Sequence, residues 1–258
     1  MSDGNARDLV RVVAWNVRAG GGRRVDGIAS QLEAWGADVA VLLEARRTEA
    51  GLRLASMVAE AGLAQQRASV TPRASTNGVL VASRWPLRAV GVRGERPDAA
   101  RWVLVRVAAP RPFAVGGMHV PNRVTGLKWP FHASVLGLAR GWRGGPALFA
   151  GDTNSGRIEL DEERAAFNAR EDRWMTDLER AGWADAFRHA HGAAQEFTWY
   201  SPNGRNGFRL DQAFVHRSLL PRMVGVRHAW GGWDGSVSMR REVLSDHAAV
   251  IVELDLGG

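Results

Sequence analysis

Eight short apolar runs recur along the chain, and most are closed by a lone acid, amide or histidine. They are Leu9–Trp15, Val39–Leu43, Gly78–Ala82, Trp102–Ala108, Phe113–Met118, Ala147–Ala150, Leu210–Val215 and Ala248–Leu254. Each is rich in valine and leucine and bounded by Gly, Pro or Asn, which reads as a strand. Several are apolar at every position rather than alternating, a pattern expected of strands covered on both faces. The segments Val25–Trp35, Glu49–Ala61, Gly126–Trp142 and Asp161–Ala181 carry helical spacing instead. Ile28, Leu32 and Trp35, for example, form one stripe. Asp38 and Thr125 offer turns or caps beside these elements. Strands interleaved with helices predict a layered α/β or α+β fold. No Pro/Ser-rich linker or solenoid-length repeat interrupts the 258 residues, so a single domain over 1–258 is expected.

Composition narrows the chemistry. The chain has no cysteine, which removes disulfides and disulfide-linked partners, thiolate zinc sites and thiol nucleophiles. No apolar run approaches the ~18 residues of a bilayer span, and the start MSDGNARD does not resemble a signal peptide. A cytoplasmic monomer without a membrane span is the expectation. The formal charge is +7, from 34 lysines and arginines against 27 acids, and Lys128 is the sole lysine. Arginine-, alanine- and glycine-rich usage fits a GC-rich genome, but codon bias does not explain the excess over acids. Arg67, Arg73, Arg84, Arg88, Arg93, Arg96, Arg101, Arg106 and Arg111 face only Glu95 and Asp98 between residues 67 and 112, whereas the segment 152–187 is dominated by acids. Such asymmetry suits a polyanionic partner engaged by one part of the surface.

The residues that close the strands are the chemically informative ones. Asn16, Glu44, His119, Asp152 with Asn154, and Asp246 with His247 stand at strand ends, and Asp211 sits in the run 208–215. Any one of them alone is adequately explained as a turn or a solvated rim residue. As a set they share a purpose. Glu44, Asp152, Asp211 and Asp246 are hard oxygen donors suited to Mg²⁺ or Mn²⁺. His119 and His247 move protons near neutral pH when a carboxylate orients them. Asn16 and Asn154 offer neutral amides to a phosphate oxygen. Together they point to metal-assisted hydrolysis of a phosphoester.

The ordered series Trp15-Asn16, Leu43-Glu44, His119-Val120-Pro121-Asn122, Gly151-Asp152-Thr153-Asn154, Arg209-Leu210-Asp211 and Ser245-Asp246-His247 resembles the endonuclease/exonuclease/phosphatase superfamily. That group includes deoxyribonuclease I, exonuclease III, AP endonucleases, inositol-polyphosphate 5-phosphatases and neutral sphingomyelinases. The resemblance spans about residues 9–254. It implies an α+β fold, a four-layer α/β/β/α sandwich of two mainly antiparallel sheets flanked by helices, with the site at one end. It implies that Glu44 binds the metal, with Asn16 supporting metal and phosphate and Asp246 metal-linked. Asp152 and Asn154 match the pair that orients water and holds the phosphate. Asp211 and His247 match an Asp–His couple on the scissile phosphate, and His119 an acid for the leaving group.

For the substrate, the sequence leaves readings open. His119 stands where the AP-endonuclease branch usually has tyrosine, yet Val120-Pro121-Asn122 and Asn206–Asp211 lean toward that branch. Phe208 reads either as the wall of a pocket for a flipped sugar or as ordinary packing. The loop Trp199–Arg205 suits stacking and phosphate pairing, as does Arg240-Arg241 before Ser245. Asn122, Arg205, Phe208, Arg209 and Arg241 are therefore the candidate substrate contacts. The absence of cysteine argues against the secreted, disulfide-bonded deoxyribonuclease I branch. A Mg²⁺-dependent DNA nuclease is favoured, endo- or exonucleolytic, acting at abasic or damaged sites in its narrowest form. A phosphatase on a small or lipid head-group substrate is the second reading, and an inactive nucleic-acid-binding module the third.

Overall fold

The structure is a computed structural model and describes residues 9–91, 97–203, 205–232 and 243–257. In chain order the elements are β1 (Leu9–Asn16), α1 (Val25–Ala34), β2 (Val39–Ala45), α2 (Glu49–Glu60), β3 (Gln65–Ala68), β4 (Gly78–Ser83) and β5 (Leu87–Ala89). There follow β6 (Trp102–Val107), β7 (Phe113–His119), α3 (Lys128–Arg140), β8 (Ala147–Asp152), α4 (Ala169–Arg180), β9 (Trp183–Asp185) and α5 (Ala186–His191). The chain closes with the small hairpin β10 (Trp199–Tyr200) and β11 (Gly207–Phe208), then β12 (Asp211–His216), β13 (Met223–Ala229) and β14 (Ala249–Asp255).

Two six-stranded sheets form the middle of the molecule, in the orders β13-β14-β1-β2-β4-β3 and β5-β6-β7-β8-β12-β9. All pairings in them are antiparallel except β1 with β2 and β7 with β8. Each parallel pair is joined through a helix, α1 or α3, because a parallel connection must return the chain over the sheet. The runs that are apolar throughout are the ones buried on both faces. In β1, Val12 and Ala14 join the cluster between the sheets with Val41, Val115, Leu148 and Val252. Val13 and Trp15, on the opposite face, pack with Ile28, Leu32, Leu54 and Val58 of α1 and α2. On the other sheet, Phe149 and Trp183 lie beneath Phe131, Val135, Trp174 and Leu178 of α3 and α4. The result is the expected four-layer α/β/β/α sandwich, with each fully buried Val or Leu worth about 1.5–3 kcal/mol of transfer from water.

The largest departure from the sequence reading is the helix expected over 161–181, which begins only at Ala169. The Asn168 side chain and Glu171 close a capping box there. Upstream, Asp161 accepts from the amide of Arg157 at 2.8 Å, and Glu162 from the amides of Ala166 (2.5 Å) and Phe167 (2.6 Å). These carboxylates satisfy a loop backbone rather than a helix. Strands β3, β5, β9 and β13 and helix α5 were not expected. They are short, or half-exposed and polar, so they lack the apolar run that marked the others.

Candidate active site

Strand direction alone brings the polar ends together. The C-terminal ends of the parallel strands β1, β2, β7 and β8 carry Asn16, Glu44, His119 and Asp152. Antiparallel neighbours start where these strands finish. Asp211, the first residue of β12, pairs in register with Asp152, which also pairs with His119. His247 precedes β14, the partner of β1. The two sheets meet at this rim, where the amide nitrogen of Asn16 donates to Asp152 Oδ2 at 3.2 Å.

Backbone irregularities aim the acids. Glu44 lies at a register shift between β2 and β4 and has φ 57°, a bulge that turns its side chain away from the strand's alternation. Its Oε2 accepts from the amide of Ala19 at 2.7 Å. Gly151 has φ 149°, and a Cβ there would lie 1.9 Å from the carbonyl oxygen of Met118. Glycine therefore permits the close approach of β8 to β7 that sets Asp152 beside His119. Asn154 is held with φ 44°. Its amide donates to Asp152 Oδ1 and its side-chain nitrogen to the carbonyl of Val120, each at 2.9 Å.

The histidines have opposite electrostatic settings. His247 Nδ1 bonds Asp211 Oδ2 at 2.8 Å. Burial opposes its charge, but Asp211, then Asp152 and Asp246, outweigh that and raise it to about 10. It is an imidazolium at neutral pH. His119 Nδ1 receives a hydrogen bond from Arg101 Nη1 at 3.3 Å. A guanidinium only donates, so Nδ1 holds the lone pair and the proton sits on Nε2, facing Asp152 Oδ2 at 3.8 Å. Burial, Arg101 and His247 push His119 down to about 3. The close approach of His119 to Asp152 is accordingly no ion pair. Asp152 itself is pushed up to about 7 by burial, with His247 opposing and Asp211 and Glu44 reinforcing the rise.

The donor set fits a hard cation. Asp211 Oδ1 and Asp246 Oδ1 are buried and lack hydrogen-bond partners among the described residues, and Arg18 Nε lies 3.9 Å from Asp246 Oδ1. Among the described residues no three acids or histidines are gathered tightly enough to hold a metal unaided. Mg²⁺ characteristically takes one or two carboxylates and fills its shell with water and substrate phosphate. Glu44, Asp246 and the amide oxygen of Asn16 are the groups suited to it.

The candidate substrate contacts divide. Asn122 and Phe208 line a cleft of about 160 Å³ with Arg123, Lys128, Asn154, Trp199 and Leu210, so Phe208 is both packed, against Phe167 and Trp199, and a wall. Arg205 lies exposed at the tip of the β10–β11 hairpin and does not line the cleft. Arg240 and Arg241 lie outside the described residues. Arg209 is a correction, being fully buried and unable to reach a substrate. Its guanidinium is chelated by Asp161 (2.8 and 3.0 Å) and Asp185 (3.1 and 2.6 Å). The site also contains residues that sequence reasoning missed. Arg101 sits at the start of β6, far along the chain from any strand-end motif, and nothing in its surroundings signals a role. Arg24 donates to the carbonyls of Leu244 and Arg18 and so ties the loop after β1 to the segment before Ser245.

Comparison with known proteins gives the family and the fold. The model of the Endonuclease/Exonuclease/phosphatase family matches residues 13–247. Exodeoxyribonucleases from two Streptococcus pneumoniae strains are 26% identical over 166 residues, covering 56% of this chain and 56% of theirs. The chain thus spans about half the length of those curated relatives. Among solved structures, a 3'-5' exonuclease from Neisseria meningitidis superposes with TM-score 0.76 at 20% identity, over 95% of this chain and 100% of that one. An AP endonuclease from Archaeoglobus fulgidus gives TM-score 0.77 at 17% identity, over 95% and 99%. These structural likenesses bear on the fold alone. The family match covers nearly all of the two sheets and every strand-end motif from Asn16 to His247, and on it the chain belongs to the endonuclease/exonuclease/phosphatase family.

Proposed function

We propose that the protein is a Mg²⁺-dependent phosphodiester hydrolase acting on DNA, with Mn²⁺ as a substitute. The observation that carries this reading is the gathering at one rim of the Asp152 carboxyl, the Asp211–His247 pair, Asn16 and Asn154, with Asp211 Oδ1 and Asp246 Oδ1 left without hydrogen-bond partners among the described residues. A bound Mg²⁺ would neutralise charge developing on the phosphate. Asp152 accepts a proton from the attacking water, which Asn154 helps orient. The His247 imidazolium, held by Asp211, donates from Nε2 to a non-bridging oxygen. His119 donates from its neutral Nε2 toward the departing oxygen. The P–O bond to water forms and the ester P–O bond breaks, and the leaving oxygen takes up the proton that Asp152 accepted from the water, while the neutral His119 gives it a hydrogen bond only.

The cleft walled by Trp199, Phe208 and Leu210 beside Asn154 favours a substrate that presents a sugar without a stacked base, such as an abasic site or a 3' end. A related Neisseria structure is described as a 3' phosphatase bound to product DNA hairpin, which is in keeping with a 3'-terminal substrate. The test is incubation with plasmid, linear and abasic-site DNA, with and without Mg²⁺, beside bis-nitrophenyl phosphate. Mg²⁺-dependent DNA cleavage is expected. Hydrolysis of the small diester with every DNA left intact would instead establish a phosphatase or phosphodiesterase of small substrates.

A further inference from the structure

Lys128 is the only lysine in a chain that otherwise uses arginine for every cation, and it is fully buried. It opens α3, and its ammonium donates to the backbone carbonyl of Asn154 and to Glu171 Oε1. Glu171 is itself fixed, since its Oε2 accepts from the amide of Asn168 at 3.0 Å in the capping box of α4. Arg123 Nε lies 3.7 Å from the same Oε1 on the solvent side. One ammonium therefore joins the first turns of two helices to the residue that follows β8 by two positions. Asn154 has a left-handed backbone, which is strained for a non-glycine residue and persists only where its surroundings hold it. The bonds from its amide to Asp152, from its side chain to Val120 and from Lys128 to its carbonyl supply that hold.

We propose that Lys128, braced by Glu171, is a positioning residue that fixes Asn154 in the attacking geometry. The inference rests on the hydrolase reading of the site. The residue type follows from the acceptors present. A compact ammonium serves one carboxylate oxygen and one carbonyl, whereas a guanidinium spreads five donors over a rigid plane. Buried there, it would leave donors unpaired, each at the cost of its lost hydration. Lys128 borders the cleft, but its buried ammonium bonds the Asn154 carbonyl and Glu171, so the contact it makes is with the site's own backbone.

The experiment compares wild type, K128M and K128R on duplex DNA and on bis-nitrophenyl phosphate. Misplacement by about 1 Å costs roughly 100-fold, so kcat of K128M should fall about that far on both substrates. KM and the salt dependence should stay at wild-type values, and K128R should not rescue. A folded K128M with kcat within twofold of wild type would overturn the proposal. So would a raised KM with a log–log salt slope shallower by about 0.9, the mark of a lost phosphate contact. If K128M does not fold, the wild type decides, because ε-¹⁵N-lysine labelling gives a single side-chain resonance. A coupling from that nitrogen to the Asn154 carbonyl carbon, and a shift on adding inorganic phosphate, are expected; lack of either overturns the proposal. Wild-type inactivity on both phosphoesters would refute the hydrolase reading, and the cross-bond coupling would still test the contact.

Discussion

The two histidines of the site do different work because their second nitrogens meet opposite charges. Asp211 on Nδ1 keeps His247 charged, so Asp211→Asn should remove the imidazolium. The expected result is a kcat lower by about 100-fold or more, within the range of lost acid–base catalysis, while the Mg²⁺ concentration for half-maximal rate changes little. Glu44→Ala should do the reverse and raise the Mg²⁺ requirement. Mg²⁺ titrations of the two variants check both, and an unchanged Mg²⁺ dependence in Glu44→Ala removes Glu44 from the metal set. His119 faces a guanidinium rather than a carboxylate. With Arg101→Met the obligatory donor to Nδ1 disappears, and one of the forces that depress His119 goes with it. Imidazole ¹H–¹⁵N spectra should show the Nε2–H tautomer alone in the wild type and a mixture in the variant, with the ring titrating at higher pH.

Elements owe their placement to a few buried polar groups as much as to apolar packing. Arg209 joins the loop at Asp161 to Asp185, the last residue of β9, and Arg188 of α5 also reaches Asp161. Removing one partner from such a pair strands a buried charge, so Arg209→Met should cost about 3–5 kcal/mol in denaturant unfolding. Acid gives the same information without mutation. Burial works against the charge of Asp161, but Arg209 and Arg188 overcome it and hold its carboxyl below its ordinary 3.8. Folding therefore gains from this group above pH 3.8 and loses that gain as pH falls through the lower folded value. Unfolding monitored from pH 5 downward should lose less stability in Arg209→Met than in the wild type. The network also explains what the sequence conceals. Arg209 stands two residues before Asp211, and at that spacing a buried tie and a phosphate contact look alike until the acids facing it are known. Strand-end residues were legible because apolar runs are local and their terminators stand out. Arg101, Lys128 and Glu171 were not, since their partners are 18 to 43 positions away and exist only after the sheets pack.

At the scale of the whole molecule, the arginine-rich stretch after residue 67 divides, with Arg101 at the site, Arg93 and Arg96 outside the described residues, and others along one edge. Arg67 on β3 and Arg88 on β5 are exposed, and Arg88 lies opposite Arg106. β3 and β5 are the terminal strands of the two sheets and touch each other, so these cations mark one side of the sandwich. The site occupies the perpendicular rim, at the ends of the central strands. A charged edge strand resists pairing with another copy, which gives these arginines a purpose unrelated to DNA. Apart from Arg101, the cations near the site come from other segments. Arg18 and Arg123 are half-exposed on the loops after β1 and β7. If the rim is the DNA track, Arg18→Gln and Arg123→Gln should each make the log–log salt slope of DNA binding shallower by about 0.9. The double substitution of Arg67 and Arg88 by Gln should leave the slope unchanged, and sedimentation velocity should detect self-association. A slope that flattens only in the edge double variant would move the DNA track to the side of the sandwich and separate it from the candidate active site.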